Sequence, residues 1–176
     1  YIPLIFSKMK QKTLIVLFLL TSFIVKSQSV NVISDADFDN LKINNAKFLD
    51  LKKTKGNQSK VEALLGAVTS YKVDENETYY YFVFKGLKID FSTMGKSKPY
   101  IESFEINSNE TTIAIKDTAI SIGDNIDKLG TVLFSVGRNG SKSILYSTCE
   151  DCDVFINIEF DQTSNLITKI SYMDMS

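Results

Sequence analysis

Apolar and polar positions alternate with two different periods along this chain. From Thr78 to Phe84 the run TYYYFVF puts Tyr80, Phe82 and Phe84 on one face and Tyr79, Tyr81 and Val83 on the other. That is the two-residue period of a half-buried strand. Lys85-Gly86 then turns the chain into Leu87-Lys88-Ile89-Asp90-Phe91, and Tyr100 to Ile106 reads as a third strand after a loop from Ser92 to Pro99. Upstream the period changes. Phe48, Leu49 and Leu51 make a helical stripe that Asn45 caps, Thr54 to Gln58 reads as a turn, and Ser59 with Glu62 forms an S-x-x-E capping box. That box opens a helix over 60–65, which Gly66 ends. Helices followed by an antiparallel meander make one unit.

The order then recurs. Asp124 caps a predicted second helix with Ile126, Leu129, Leu133 and Val136 turned inward, and Gly137 and Gly140 end it. Strands are predicted at 143–147, 154–160 and 166–172. The stretch Gly86 to Phe91 matches Val154 to Phe160, and Tyr100 to Ile106 matches Leu166 to Tyr172, at a nearly constant offset. The sequence predicts an α+β protein of two tandem units, 41–110 and 118–176, each of short helices packed on an antiparallel meander. Residues 28–40 read as a polar lead-in.

The N-terminus has a different character. Lys8, Lys10 and Lys12 precede an uncharged run from Thr13 to Val25, and small residues follow. This pattern predicts a cleavable secretory signal over 1–27, cut between Ser27 and Gln28. Met9 opens a better-formed signal than Tyr1, so residues 1–8 read as upstream sequence. A run of 13 residues falls short of the about 20 that span a bilayer, so no membrane span is expected after the signal is removed. The expected compartment is periplasmic or extracellular, reached by the Sec route. Four of the 20 Lys and Arg and none of the 21 acidic residues lie in 1–27, leaving the remainder at a formal net charge of −5. That balance argues against nucleic acid as a partner.

An exported chain with Cys149-Glu150-Asp151-Cys152 between two strand-like runs predicts a local disulfide from Cys149 to Cys152. A redox pair is the sharper alternative, but such a pair belongs at a helix N-terminus. A zinc half-site is less favoured, since the chain has no His and four ligands are needed. The sequence nominates no catalytic, cofactor or metal residues. The eight glycines are scattered rather than gathered into a phosphate loop. Asp35, Asp37 and Asp39 suggest a calcium loop, but Asn40 and Ala46 stand where Gly and Glu are required.

The segments Leu41 to Asn45, Lys60 to Gly66, Tyr79 to Phe82 and Gly86 to Phe91 carry a resemblance to a known exported family. With Ile122-Gly123-Asp124 they resemble the SmpA/OmlA (BamE-like) domain and its tandem relative, the β-lactamase inhibitory protein. The resemblance implies a non-catalytic module presenting a sheet face to another exported or envelope protein. A small secreted enzyme, a hydrolase using a carboxylate pair, is the alternative. If Tyr80, Phe82, Phe84, Ile156 and Ile158 pack on the helices, Tyr79, Tyr81 and Phe155 fall on the opposite face and are the candidate interface. Asp117-Thr118-Ala119 resembles the acceptor for O-glycosylation in exported proteins of the Bacteroidetes, which makes Thr118 a candidate modification site.

Overall fold

The structure, a computed structural model, describes residues 29–176. The predicted signal over 1–27 and its cut at Ser27 lie outside the described residues. The chain is mostly β. One large sheet takes its strands from both halves: β1 (Asn31–Val32), β4 (Ser70–Val73), β5 (Tyr79–Phe84), β6 (Leu87–Ser92), β7 (Tyr100–Ile106), β10 (Ser135–Val136), β11 (Lys142–Ser147), β12 (Val154–Phe160) and β13 (Ile167–Asp174). Their order across the sheet is β1-β11-β12-β13-β7-β6-β5-β4, with β10 also on β11. β1 runs parallel to β11, and the other pairs are antiparallel.

The expectation of two tandem α+β units is overturned here. The two meanders join edge to edge, β7 to β13, with Phe104 opposite Tyr172 and Ile106 opposite Ile170. The second half also lacks the predicted helix. Only one 3-10 turn forms, Ile126–Leu129, capped by Asn125 rather than Asp124. Gly130 follows at φ 70 and ends it, and β-branched Thr131 and Val132 do not favour restarting a helix. Leu133 and Val136, expected inward, are 57% and 45% exposed. The internal repeat therefore does not survive in three dimensions.

A second sheet has the order β3-β2-β8-β9, built from β2 (Lys42–Ile43), β3 (Ala46–Lys47), β8 (Thr112–Ile115) and β9 (Thr118–Ser121). It occupies ground that the pattern assigned to a helix cap and a connection. Asn44-Asn45 is the turn of a hairpin, with Asn44 at φ 53, and the Asn44 side chain accepts a hydrogen bond from the Thr112 amide at 3.0 Å.

Three short helices cover one face of the large sheet. α1 (Asp35–Asp39) forms within the supposed polar lead-in because Ser34 Oγ accepts from the Asp37 amide and two acidic residues favour its first turn. α2 (Phe48–Thr54) buries Phe48, Leu51 and Thr54 and ends at Lys55 in the left-handed region. α3 (Gln58–Leu65) begins at Asn57, whose side chain accepts from the Lys60 amide; it starts two residues before the predicted 60–65, and Gly66 ends it as expected. The core between helices and sheet is aromatic. Phe48 meets Phe104 at 5.9 Å and Tyr172 at 4.9 Å, both edge-on, and Phe82 meets Phe91 at 5.5 Å. Among the described residues no helix is long and apolar enough to cross a membrane.

Candidate functional site

With Phe82, Ile89, Phe104, Ile156 and Tyr172 in the core, the pleat sends their neighbours to the opposite face. The strand registers lay out one row across that face: Lys72, Tyr81, Asp90, Ser103, Met173, Phe155 and Ser147. A parallel row runs Ser70, Val83, Lys88, Glu105, Ser171, Asn157 and Leu145. Most of these side chains are exposed or half-buried. The face is open over most of its width.

Tyr79 and Tyr81, two residues apart on β5, stack with ring centroids 6.0 Å apart and planes 16° apart. The start of β5 is held by Asp74, whose Oδ1 accepts from the Thr78 and Tyr79 amides at 2.6 and 2.7 Å. The Tyr79 hydroxyl reaches the Met94 sulfur. Phe155 shares the face but not the neighbourhood. Three strands separate it from Tyr81, about 19 Å at ordinary strand spacing. The structure thus brings Tyr79 and Tyr81 together and leaves Phe155 beside Met173, which is 42% exposed.

Between the two aromatic ends lie residues that the sequence did not single out. Asp90 is opposite Tyr81 on one side and Ser103 on the other, and the Ser103 hydroxyl donates to it at 3.1 Å. The β6–β7 register shifts beside Asp90, leaving Glu102 without a partner residue. A bulge of this kind turns an extra side chain toward one face. Burial pushes the Asp90 carboxyl above its ordinary range; the Ser103 hydrogen bond and Lys88 pull it down, and Glu105 adds to the rise. Burial also raises Glu102, and the charges of Asp90 and Asp174 raise it further. The Tyr81 hydroxyl is raised in turn, by desolvation first and then by Asp74, Asp90, Tyr79 and Glu102. Asp90 was within reach of the sequence, since it alternates with Ile89 and Phe91. Glu102 was not, because a bulge breaks the period that would place it.

Other candidates fall elsewhere. Cys149 and Cys152 are joined by a disulfide, with Cα atoms 5.3 Å apart, in the connection from β11 to β12. Thr118 is the first residue of β9 and half-buried, after a turn in which Lys116 has φ 54. Asp35, Asp37 and Asp39 belong to α1. Among the described residues no three His, Cys, Asp or Glu side chains are placed to hold a metal ion. A hollow of about 450 Å³ lies between the lead-in and the β8–β9 hairpin, lined by Ile33, Ile115, Lys116, Leu133 and Tyr146 among others. Neither Tyr79 nor Tyr81 lines it.

No known family model matches this sequence, and no curated protein matches it closely enough to count as a relative. Among the solved structures similar to part of it are two bacterial proteins. One is an extracellular protein containing an SCP domain from Bacillus anthracis str. Ames, 12% identical, TM-score 0.41, covering 66% of this chain and 42% of that one. The other is a cysteine-rich secretory protein from Staphylococcus aureus subsp. aureus Mu50, 14% identical, TM-score 0.38, covering 66% and 43%. The chain spans less than half the length of either. The resemblance to the BamE-like domain and the β-lactamase inhibitory protein is corrected at this point. The tandem units on which that resemblance rested give way to one shared sheet, joined edge to edge at β7 and β13.

Proposed function

We propose that this is an exported, non-catalytic binding module, and that the open face of its large sheet docks another exported or envelope protein. The observation that carries the reading is the stacked Tyr79–Tyr81 pair, half-buried on a face where the pleat leaves it outside the core. Tyrosines held by a rigid strand offer large contact area at little entropic cost, and such residues dominate protein interfaces. Phe155 and Met173 extend the apolar surface at the far end of the same row. Export is supported by the signal-like N-terminal sequence and by the Cys149–Cys152 disulfide, a bond that persists in oxidising compartments. The non-catalytic reading is supported by the setting of the carboxylates, Asp90 and Glu102, on a sheet face rather than in a cleft.

The test is capture from the native envelope and secreted fractions by the wild type and by a Tyr79→Ser/Tyr81→Ser variant. Anchoring aromatics contribute about 2 kcal/mol each, roughly 30-fold in affinity. The double variant should keep its melting temperature and lose the captured partner, while a Lys60→Ser control on α3 keeps it. Equal capture by the double variant, or its unfolding, would remove the face from consideration.

A further inference from the structure

At two places on the large sheet a carboxylate lies beside a tyrosine ring, and at one of them the chain supplies the cation itself. Lys96, from the loop between β6 and β7, places its ammonium 3.7 Å from the centroid of the Tyr100 ring. The same nitrogen lies 3.2 Å from Asp174 Oδ2 and 3.1 Å from Ser176 Oγ. Ring, carboxylate and hydroxyl together make a seat for a cation.

The second setting has the same chemistry. Tyr79 and Tyr81 supply parallel rings, Asp90 stands directly opposite Tyr81 in register, and the bulge sets Glu102 next to Ser103, the residue paired with Asp90. Among the described residues Asp90 has one hydrogen-bond donor, Ser103 Oγ, and neither Asp90 nor Glu102 has an ion pair. Glu102 has no hydrogen bond there either. Two half-buried like charges at close range cost free energy that an incoming cation would recover. The surroundings lean the same way: Asp74, Glu75 and Glu77 flank the tyrosine end of the row, against Lys72 and Lys88.

Resting on the reading of this face as a docking surface, we propose that the Tyr79, Tyr81, Asp90 and Glu102 setting receives an arginine of the partner, carried on a basic segment laid across the sheet. Arginine fits better than lysine. Its planar guanidinium stacks on a tyrosine ring while its fork of donors spans two carboxylates, and it sheds water more readily than an ammonium. The setting at Tyr100 shows the general attraction, and the one at Tyr79 and Tyr81 adds the second ring and second carboxylate that a guanidinium uses.

The experiment titrates the protein with blocked tri-arginine and follows the Tyr79 and Tyr81 ring signals and the Asp90 and Glu102 carboxyl signals by NMR. Blocked tri-citrulline, of the same shape without the charge, is the control. Saturable shifts at these four residues with tri-arginine alone are expected, with affinity falling about tenfold in an Asp90→Asn/Glu102→Gln variant. Equal shifts with tri-citrulline, or tri-arginine binding undiminished in that variant, would overturn the proposal. A second arm separates it from the reading on which it rests. If a partner captured by the face binds the Asp90→Asn/Glu102→Gln variant undiminished, the arginine is wrong and the face stands. If it also survives Tyr79→Ser/Tyr81→Ser, the face itself is wrong.

Discussion

Asp90 is the residue where the open face is most at odds with folding. Its carboxyl titrates above its ordinary value of 3.8 because of burial, so the folded chain holds that proton more tightly than the unfolded one. Its contribution to stability is then full below the unfolded pKa and is lost as pH rises through the raised folded value. At neutral pH the charge is a liability. Asp90→Asn keeps an acceptor for the Ser103 hydroxyl and removes the charge, in a setting faced by Lys88, Glu105, Glu102 and Tyr81. Its thermal midpoint should exceed that of the wild type at pH 7, and the two should converge below pH 3.8. A lower midpoint at pH 7 would mean that the carboxylate already has a favourable partner. The legibility of this site in the sequence follows the pleat. Strict alternation placed Tyr79 and Tyr81 on the outer face, and it placed Phe155 there too. It gave no lateral distance, so it grouped Phe155 with side chains from which three strands separate it.

Among the elements, the β5–β6 hairpin is the most constrained. Its Lys85-Gly86 turn has Gly86 at φ +75, and a Cβ built there would come within 2.1 Å of Ser108 Oγ and 3.1 Å of Ser108 Cβ. Gly86→Ala should therefore cost about 2 kcal/mol or more in urea unfolding, combining left-handed backbone strain with the collision. Adding Ser108→Ala should recover the part due to the hydroxyl and none of the backbone part. Full recovery would show that the turn tolerates a side chain. The long strands were readable because each carries a clean two-residue alternation between turn residues, and β7 and β12 form over the predicted spans. β2, β3, β8 and β9 were not, since runs of two to four residues show too few periods to be told from loop. The second helix failed for the opposite reason. Its apolar spacing was helical, but Gly130 stops the turn before Leu133 and Val136 are reached.

At the scale of the molecule, the β7–β13 seam decides whether the halves are separable. It joins Phe104 to Tyr172, rings stacked at 5.3 Å, and Ile106 to Ile170. The small sheet adds a second tie, since β2 takes β8 as a partner. A fragment ending at residue 110 would lose both partners and expose the edge of β7. Residues 29–110 should then show no cooperative transition in urea, while the full chain unfolds in one step by fluorescence and circular dichroism alike. Cooperative unfolding of the fragment would restore two independent units. Sequence pattern could not show the seam, because pairing between distant strands leaves no local trace. The parallel pair of β1 and β11 carries this remoteness furthest. The Asn31 side chain donates to the Leu145 carbonyl at 3.0 Å across 114 residues of chain, so the first described strand finds its neighbour only near the end of the sequence. Closing so long a loop is entropically costly, and contacts of this span slow folding. A chain that appears N-terminus first holds β1 without its partner until β11 has emerged, so this edge of the sheet is completed late. Time, as much as geometry, is written into that two-residue strand.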